Sequence, residues 1–439
     1  MCSKTEASGS GVLPDLLVEL GQQLAACSGV RRWVIALSGG LDSSLLLSLM
    51  SRLSLPQPIA ALHVDHQLQA DSAQWAEHCR LQCERLSIPF NCTRVIPDSA
   101  SEASARMARY RAFEAFLQPG DCLLLAQHAD DQAETLLLRL LRGAGVAGLA
   151  AMPASRPLGQ GRLLRPLLRL SRAQLEQGAH EFGLEPVEDP SNASTRYDRN
   201  FLRLSVLPAL KRRWPSLVPR WIETAELMSE ASEMLAERAH EDMALCARRG
   251  GICLVRLQTL SRARQRNLLH AWVSDGSGHR MSRTRLLQLE QDLMQARPDA
   301  QPVFGLPGCQ LRRHQNVMYL LPDPLPTPAD GVRELVVGEP AQLPLGRLHW
   351  QSAEWGLPNG QALTVQFRRG GERLRPLGRG GSVSLKQLLQ ESGQPPWLRA
   401  CQPLLLKDGE IVAVPGITLC ESAAVEGGLL PIWSGFGLS

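Results

Sequence analysis

The sequence has no apolar run that approaches the roughly 20 residues needed for a membrane-spanning helix. The amino-terminal stretch MCSKTEASGSGVLPDLL lacks the apolar core of a secretory signal. The 11 cysteines are scattered and none forms a C-x-x-C pair, which argues against a disulfide framework or a structural zinc site. These absences exclude membrane and disulfide-stabilised secreted classes, and they favour a cytoplasmic protein with no membrane partner.

The length and composition indicate a globular protein of several domains. A chain of 439 residues is too long for one ordinary domain, and 44% hydrophobic with 21% charged residues is typical of folded proteins. We expect a catalytic domain over 1–220, a helical central domain over 221–321 and a C-terminal domain over 332–439. A proline-rich segment, Leu321 to Gly331, is predicted to link the last two.

The first 150 residues alternate between short apolar runs and helical patterns. Strands are predicted at 32–37, 58–64, 90–96 and 122–127, and helices at 42–53, 71–87, 102–118 and 130–142. This rhythm predicts an α/β fold in which helices cover both faces of a parallel sheet. Beyond it, Pro153, Pro157 and Pro166 indicate an irregular stretch, helices are predicted at 221–245 and 259–296, and the C-terminal segment is predicted to be small and mixed α/β.

A small-residue loop, Ser38-Gly39-Gly40-Leu41-Asp42-Ser43, separates the first predicted strand from the first predicted helix. Backbone N–H groups and the dipole at a helix start attract anions, most often phosphate. The loop has no Walker A lysine, and no G-x-G-x-x-G occurs at this turn. The pattern therefore predicts a phosphate site of another type, and a plain turn capped by Ser38 or Asp42 is the alternative.

Further polar residues follow other strands, where ligands of parallel sheets bind. His63 and His66 follow the second strand and are predicted to line a pocket. His128, Asp130 and Asp131 follow the fourth strand. Two adjacent carboxylates facing a phosphate loop suit Mg²⁺, although Asp130 could equally cap the helix.

Basic residues are concentrated in several segments. Arg106 and Arg109 lie three apart on one predicted helix face, where they could contact phosphate or form a solvated edge. Seven arginines and no acidic residue occur from Thr135 to Leu175, and the segments 209–221 and 367–381 are also basic. Any one such segment could be a solvated face, but three together favour binding of nucleic acid.

Together these motifs resemble a known family. S-G-G-x-D-S resembles the pyrophosphate loop of the ATP pyrophosphatases, and the chain as a whole resembles the bacterial tRNA(Ile)-lysidine synthetases. Asp189, Ser191, Asn192, Arg199, Asn200 and Arg203 form the family's specific D-x-S-N…R-N-x-x-R segment. The other matching segments are Ser38–Ser43, His63–His66, Glu102–Tyr110, His128–Thr135 with Arg142-Gly143, Arg165–Arg172, Phe367–Arg379, Leu385–Arg399 and Gly409–Ile417.

The resemblance implies an adenine nucleotide alpha hydrolase-like catalytic domain. It implies ATP-dependent attachment of free L-lysine to the wobble cytidine of the isoleucine tRNA with a CAU anticodon, through an adenylated cytidine. It leaves the oligomeric state open between monomer and homodimer. The residues expected to bind ATP are Ser38, Gly39, Gly40, Leu41, Asp42, Ser43 and His63. The expected catalytic residues are Asp42, Arg106, Arg109, His128 and Asp131, the expected Mg²⁺ ligands are Asp42, Asp130 and Asp131, and the general base is Asp131 or His128.

Two other functions fit parts of the sequence. One is another ATP pyrophosphatase, such as a tRNA thiolase or a small-molecule amidating synthetase; the absence of C-x-x-C argues against an iron–sulfur thiolase. The other is a tRNA-binding module without catalysis. Binding alone requires neither an S-G-G-x-D-S loop nor the Asp130-Asp131 pair, so the enzyme is favoured.

Overall fold

The computed structural model describes residues 11–67, 72–99, 101–187, 194–297, 300–328 and 333–435. The chain divides into two compact units, residues 1–233 and 234–439. Within the described ranges, no helix combines the length and the apolar composition that crossing a membrane requires.

In the first unit, strands and helices alternate as predicted up to residue 141. The strands are β1 Arg32–Ala36, β2 Ile59–Asp65, β3 Phe90–Arg94, β4 Asp121–Leu124, β5 Ser155–Leu158 and β6 Gly161–Leu164. The helices are α1 Leu13–Ala25, α2 Leu41–Arg52, α3 Ser72–Arg85, α4 Glu102–Phe116, α5 Ala129–Leu141, α6 Val146–Leu149, α7 Arg172–Glu181, α8 Asp198–Phe201, α9 Leu207–Arg213 and α10 Leu217–Cys246. A π-helical segment, Leu202–Val206, joins α8 to α9, and the border between the two units falls within α10.

The strands of the first unit form one sheet in the order β3-β2-β1-β4-β6-β5. The pairs from β3 through β6 are parallel, and β5 is antiparallel to β6, which confirms the predicted parallel α/β sheet. The expectation of an irregular stretch around Pro157 is wrong, because that proline lies in β5 at the sheet edge, where a missing N–H breaks no ladder.

Alternate residues of β1 reach opposite faces of the sheet, and each face has its own core. Trp33 and Ile35 pack with α1, α2, α3 and α7, whereas Val34 packs with α4. Because α2 lies between the sheet and α1, its residues from Ser43 to Met50 are all buried. The start of α2, where the small-residue loop ends, is therefore held by the core.

The second unit contains more strand than the sequence suggested. Its helices are α11 Leu254–Thr259, α12 Arg262–Ser277, α13 Arg283–Leu289 with a π-helical segment Glu290–Met294, α14 Leu385–Glu391 and α15 Pro396–Arg399. Its first strands are β7 Ala247–Arg248, β8 Gly251–Cys253, β9 Val303–Leu306, β10 Cys309–His314 and β11 Val317–Pro322. The later strands are β12 Arg333–Val336, β13 Ala341–Leu343, β14 Gly346–Leu357, β15 Ala362–Phe367, β16 Arg373–Leu374, β17 Val383–Ser384, β18 Pro403–Lys407, β19 Glu410–Val414, β20 Thr418–Leu419, β21 Val425–Glu426 and β22 Leu429–Gly435.

The central segment combines helices with a five-stranded sheet, β7-β8-β11-β10-β9. Leu321 and Pro322, predicted to begin a linker, instead end β11 because they pair with Gln310 and Cys309 of β10. Tyr319 shares a core with residues of the C-terminal segment. The predicted mixed character of the C-terminal segment is confirmed, and the three predicted domain boundaries stay a prediction.

Candidate active site

The small-residue loop is fixed by its own hydrogen bonds. Ser43 Oγ accepts the backbone N–H of Ser38 at 3.1 Å, lies 3.0 Å from Ser38 Oγ and donates to the Gly40 carbonyl at 3.1 Å. Ser44 Oγ donates to the Gly39 carbonyl at 3.3 Å. The loop is therefore ordered before any ligand binds.

The start of α2 meets the requirements of an anion site. Gly40 is the residue that caps this helix, and it provides no side-chain hydrogen bond to the first-turn N–H groups. The N–H groups of a first helical turn lack partners within the helix and carry partial positive charge. Since the loop lies at the carboxyl end of β1, next to β4, it occupies the point where the strand order of the sheet reverses.

His128 connects this loop to the start of α5. Its side chain and that of Asp131 form a reciprocal cap, in which Asp131 Oδ2 accepts the His128 N–H at 3.1 Å. His128 Nδ1 accepts the Asp130 N–H at 3.2 Å, so in the neutral ring the proton is on Nε2. That Nε2 lies 3.7 Å from Asp42 Oδ2 and 3.6 Å from Asp131 Oδ2. The structure thus brings together three predicted catalytic residues from two loops.

Asp42 also pairs with an arginine that the sequence did not single out. Both of its carboxylate oxygens lie 2.9 Å from one terminal nitrogen of Arg172, the first residue of α7. Arg172 Nε donates to Glu176 at 2.8 Å. Burial raises the pKa of Asp42, although His128 and Arg172 both favour its charged form. Burial of the loop carboxylate therefore outweighs the two neighbouring cations in setting its pKa.

Asp130 has a different environment from Asp131. Lys211 Nζ donates to its Oδ1, and the Arg172 backbone N–H donates to its Oδ2 at 2.9 Å. Burial alone would raise the pKa of Asp130, but the hydrogen bonds from Lys211 and from the Arg172 backbone lower it below its ordinary value. Both oxygens of Asp130 are thus already engaged by the protein.

The donor set fits a magnesium ion only in part. Mg²⁺ in nucleotide sites is held by one or two carboxylates together with substrate phosphates and water. Asp42 and Asp131, on either side of His128 Nε2, would supply such carboxylates by exchanging the arginines that pair with them for the ion, whereas Asp130 lies beside Nδ1 and is engaged with Lys211. Among the residues that the structure describes, no three His, Cys, Asp or Glu side chains converge to hold a metal ion by themselves.

The site contains a buried acid, Glu134, that is not among the predicted catalytic or metal-binding residues. Glu134 is 1% exposed, and it accepts hydrogen bonds from Arg199 Nε at 2.8 Å and from Arg203 Nε at 2.5 Å. Arg203 also reaches Asp131 Oδ1 at 3.0 Å. The two arginines belong to the R-N-x-x-R segment. Because that segment is specific to the family, it could have identified both arginines as site residues. Asp189, Ser191 and Asn192 of the same segment lie outside the described residues.

The predicted pair Arg106 and Arg109 belongs to a basic group around Tyr110. The Arg106 guanidinium lies 5.0 Å from the Tyr110 ring centre, and Arg165 approaches the Tyr110 hydroxyl at 3.5 Å. Burial would raise the pKa of Tyr110, but the arginines, Arg106 foremost, lower it. Burial and the charge of Arg109 lower the pKa of His66. A catalytic role for Arg106 and Arg109 stays a prediction.

His63 supports the loop from the neighbouring strand. It is 6% exposed, and its Nδ1 lies 2.8 Å from the carbonyl of Leu37, the residue before the loop. Its ring also lies 3.6 Å from the Cys79 sulfur, and burial lowers its pKa. These contacts explain how His63 positions the loop, and its predicted contact with ATP stays a prediction.

The second unit carries the basic cluster predicted to contact nucleic acid. Glu372 Oε1 accepts the backbone N–H groups of Arg369 and Gly370 at 2.6 Å each, which closes a tight loop. Gly370 has φ of 104°, a conformation that glycine adopts readily. The side chains of Arg369, Arg373 and Arg375 are exposed. The loop therefore presents arginines to solvent while its acid is used internally.

Three families match successive parts of the chain. The PP-loop domain matches residues 16–210, the TilS substrate binding domain residues 253–319, and the TilS substrate C-terminal domain residues 363–430. The first of these segments contains the loop, His128 and Asp131.

The curated relatives match over nearly their full length. A tRNA(Ile)-lysidine synthase of Pseudomonas aeruginosa is 43% identical over 430 residues, which cover 94% of this chain and 96% of that protein. A second, from Alkalilimnicola ehrlichii, is 40% identical and covers 94% and 99%. The chain belongs to the tRNA(Ile)-lysidine synthase family. A tRNA thiolase structure from Methanococcus maripaludis is 15% identical, with a TM-score of 0.42 over 50% of this chain and 80% of its own.

Membership of the lysidine synthase family confirms the resemblance drawn from the motifs. The chain is accordingly an enzyme, a ligase that forms a carbon–nitrogen bond, with an ATP-binding PP-loop domain and domains for a tRNA substrate. The thiolase, the amidating synthetase and the non-catalytic module are not favoured. The roles of individual site residues stay predictions.

The two loop glycines provide a matched test of the phosphate site. Gly39 has φ of +85°, and a Cβ there would lie 3.2 Å from the Cys79 sulfur, so Gly39→Ala should destabilise the loop by about 1–2 kcal/mol. Gly40 has φ of −72°, and its Cβ would meet only Ser38 Oγ at 3.6 Å. We expect Gly39→Ala to weaken ATP binding about tenfold and Gly40→Ala to leave it near wild type, as measured by calorimetry.

Urea unfolding of both variants measures how much each substitution lowers the free energy of unfolding. Equal ATP affinities in Gly39→Ala and Gly40→Ala would contradict the role assigned to the left-handed residue of the loop.

Proposed function

We propose that the chain attaches free lysine to the wobble cytidine of the isoleucine tRNA with a CAU anticodon, at the site formed by the loop and the start of α5. The observation that carries the proposal is the placement of Asp42, His128 and Asp131 around an uncapped helix start, in a member of the lysidine synthase family. A tRNA substrate and ATP as the energy source follow from the family. That lysine is the attached amino acid and that Mg²⁺ assists the reaction are our proposals.

The reaction overcomes the poor reactivity of the cytosine C2 carbonyl. The carbonyl oxygen attacks the α-phosphorus of ATP, and pyrophosphate leaves. The lysine ε-amine then attacks C2, the C–O bond breaks, and AMP departs with the oxygen. The amine must lose a proton, since an amine with a pKa of about 10.4 is protonated at neutral pH.

The loop supplies the binding energy for the phosphates. The first-turn N–H groups of α2, the Gly39 and Gly40 backbone and the hydroxyls of Ser38 and Ser43 surround the place where pyrophosphate would lie. Asp42 and Asp131 would hold Mg²⁺, which when bound neutralises charge on the departing pyrophosphate. Arg172 would leave Asp42 as the nucleotide enters and contact phosphate instead.

The geometry favours Asp131 over His128 as the general base. His128 Nδ1 is occupied by the Asp130 N–H, and Nε2 carries the proton of the neutral ring. Neither nitrogen of that ring can accept a proton without breaking this arrangement, whereas the carboxylate of Asp131 has more lone pairs than the hydrogen bonds from His128 and Arg203 occupy. His128 then orients the carboxylates of Asp42 and Asp131.

The proposal also includes the cellular compartment and the oligomeric state. Because the substrates are tRNA, ATP and free lysine, the reaction is placed in the cytoplasm. The oligomeric state, monomer or homodimer, is measured by sedimentation of the purified chain.

Incubation of the protein with ATP, labelled lysine and total tRNA tests the reaction directly. Label should enter the isoleucine tRNA with a CAU anticodon, only when ATP is present, with one AMP released for each lysine attached. Label that enters no tRNA, while the protein still hydrolyses ATP to AMP and pyrophosphate with a different acceptor, would contradict the proposal.

The substitution Asp42→Asn distinguishes the role of this carboxylate in catalysis from its effect on stability. Loss of a carboxylate beside the phosphates should lower pyrophosphate release at least about 100-fold, with tRNA affinity within about threefold. The pKa of Asp42 is raised in the folded chain, so the native state loses stability as pH rises from the ordinary value of 3.8 through the raised one. At pH 7 without ATP, the variant should therefore unfold at a temperature equal to or above that of wild type.

Asp15→Asn, at an exposed position of α1, is the matched control and should leave pyrophosphate release unchanged. Pyrophosphate release by Asp42→Asn at the wild-type rate would remove Asp42 from the catalytic group.

The exposed arginines of the second unit are tested by salt dependence. Arg373→Ala with Arg375→Ala should raise the KM for tRNA, leave the KM for ATP near wild type, and lower the slope of log K against log salt by roughly 0.7–0.9 for each phosphate that is no longer neutralised. Arg347→Ala with Lys407→Ala removes the same charge from exposed positions of the same unit. If the plots of log K against log salt for the two double variants are parallel, Arg373 and Arg375 only face solvent.

A further inference from the structure

The helical segment that follows Ser194 has two faces with different chemistry. On its inner face, Arg199 and Arg203 donate to Asp131 and Glu134 of the active site, and Leu202 is 4% exposed. The segment passes from α8 into the π-helical turn Leu202–Val206, a geometry that occurs frequently at functional sites. The inner face therefore belongs to the site described above.

The outer face is apolar and exposed. Tyr197, Phe201 and Leu204 are 38%, 49% and 45% exposed. Tyr197 caps the start of α8 and its carbonyl accepts the Phe201 N–H at 2.9 Å, so these two residues lie one turn apart, and Leu204 follows in the π-helical turn. The chain has only three tyrosines and eight phenylalanines. Within the described part of the chain, no other tyrosine or phenylalanine is exposed to this degree. Exposing one of each within one turn requires an explanation other than chance, and we call Tyr197, Phe201 and Leu204 the outer face.

The surroundings of the outer face are positively charged. From Ser194 to Trp214 there are six basic residues and one acidic residue, Asp198, whose carboxylate lies 3.4 Å from Arg142. Arg196, Arg212 and Arg213 are exposed along the same segment. Aromatic rings framed by arginines are the usual platform for unstacked bases of single-stranded nucleic acid.

An interface between two copies of the chain fits this surface less well. A symmetric contact would place the same arginines of both copies against each other without acidic partners. A single strand of RNA instead supplies phosphates for the arginines and flat bases for the rings.

We propose that the outer face, Tyr197, Phe201 and Leu204, stacks the bases that flank the target nucleotide of a single-stranded RNA loop. The inference rests on the proposed function and names the surface that holds the substrate beside the site. The inner and outer faces belong to one helix, whose diameter is about 10 Å. A base entering the site next to Asp131 therefore has its neighbours within reach of Tyr197 and Phe201.

The test uses a short stem–loop RNA with the anticodon loop sequence and 2-aminopurine at the positions flanking the target cytidine. Tyr197→Ser with Phe201→Ser should weaken RNA binding about tenfold or more and abolish the quenching of aminopurine fluorescence that stacking causes. The slope of log K against log salt should be unchanged, since stacking releases no counterions. ATP affinity should stay at the wild-type value.

Two further variants make the result decisive. Leu227→Ser, which alters a residue of α10 that is 55% exposed, is the control for removal of an exposed apolar side chain and should bind RNA like wild type. Tyr197→Leu keeps an apolar side chain but removes the ring, and it should lose quenching even if the double serine variant folds poorly. RNA affinity and quenching at wild-type levels in Tyr197→Leu and the double variant would overturn the proposal.

Sedimentation identifies the competing occupant. If the double serine variant shifts a dimer to monomers while it binds RNA like wild type, the outer face joins copies of the chain and the proposal is wrong. Failure of the proposed function is distinguishable, because in that case the wild-type protein itself would attach no lysine to tRNA.

Discussion

The parallel pairing of β1 with β4 is the constraint on which the site depends. Backbone hydrogen bonds align Trp33 with Cys122 and Ile35 with Leu124, so both strands end at the same edge of the sheet. The chain leaves β1 through the small-residue loop and leaves β4 toward His128. Two segments that are distant in the sequence therefore meet, with His128 Nε2 3.7 Å from Asp42 Oδ2, and the buried helix α2 holds the loop at that edge.

Charge compensation is the second constraint. Four acids at the site, Asp42, Asp130, Asp131 and Glu134, are each matched by a cation in the ligand-free chain; these cations are Arg172, Lys211, Arg199 and Arg203. Buried carboxylates without such partners would be strongly destabilising. In the proposed reaction, a ligand with phosphates and a cation would replace Arg172 beside Asp42. Asp130 and Glu134 stay paired with their cations and so keep their positions at the site.

In the proposed function, the two units offer two different kinds of surface to the RNA. In the first, three arginines pair with acids of the site, whereas Arg196, Arg212 and Arg213 are exposed near the apolar outer face. In the second, Glu372 is used to close its own loop and leaves exposed arginines around it. Contacts to phosphate give affinity without reading bases, whereas stacking acts on bases. A large RNA substrate requires both kinds of surface.

The sequence alone determined the first four strands of the first unit, the helix that follows each of them, and the residues that meet at their ends. Apolar runs and helical patterns located four strands and four helices to within three residues, and S-G-G-x-D-S with His128 and Asp131 identified side chains that meet at one site, because these signals are local. Only the tertiary structure decided which acid faces which cation. Arg172 approaches Asp42 from 130 residues away, Lys211 engages Asp130 and not Asp131, and Pro157 sits in an edge strand rather than an irregular stretch. Those outcomes follow from where α7 and α9 lie beside the site and from the pairing of β5 with β6 at the sheet edge, and no local pattern of residues encodes contacts between segments so far apart.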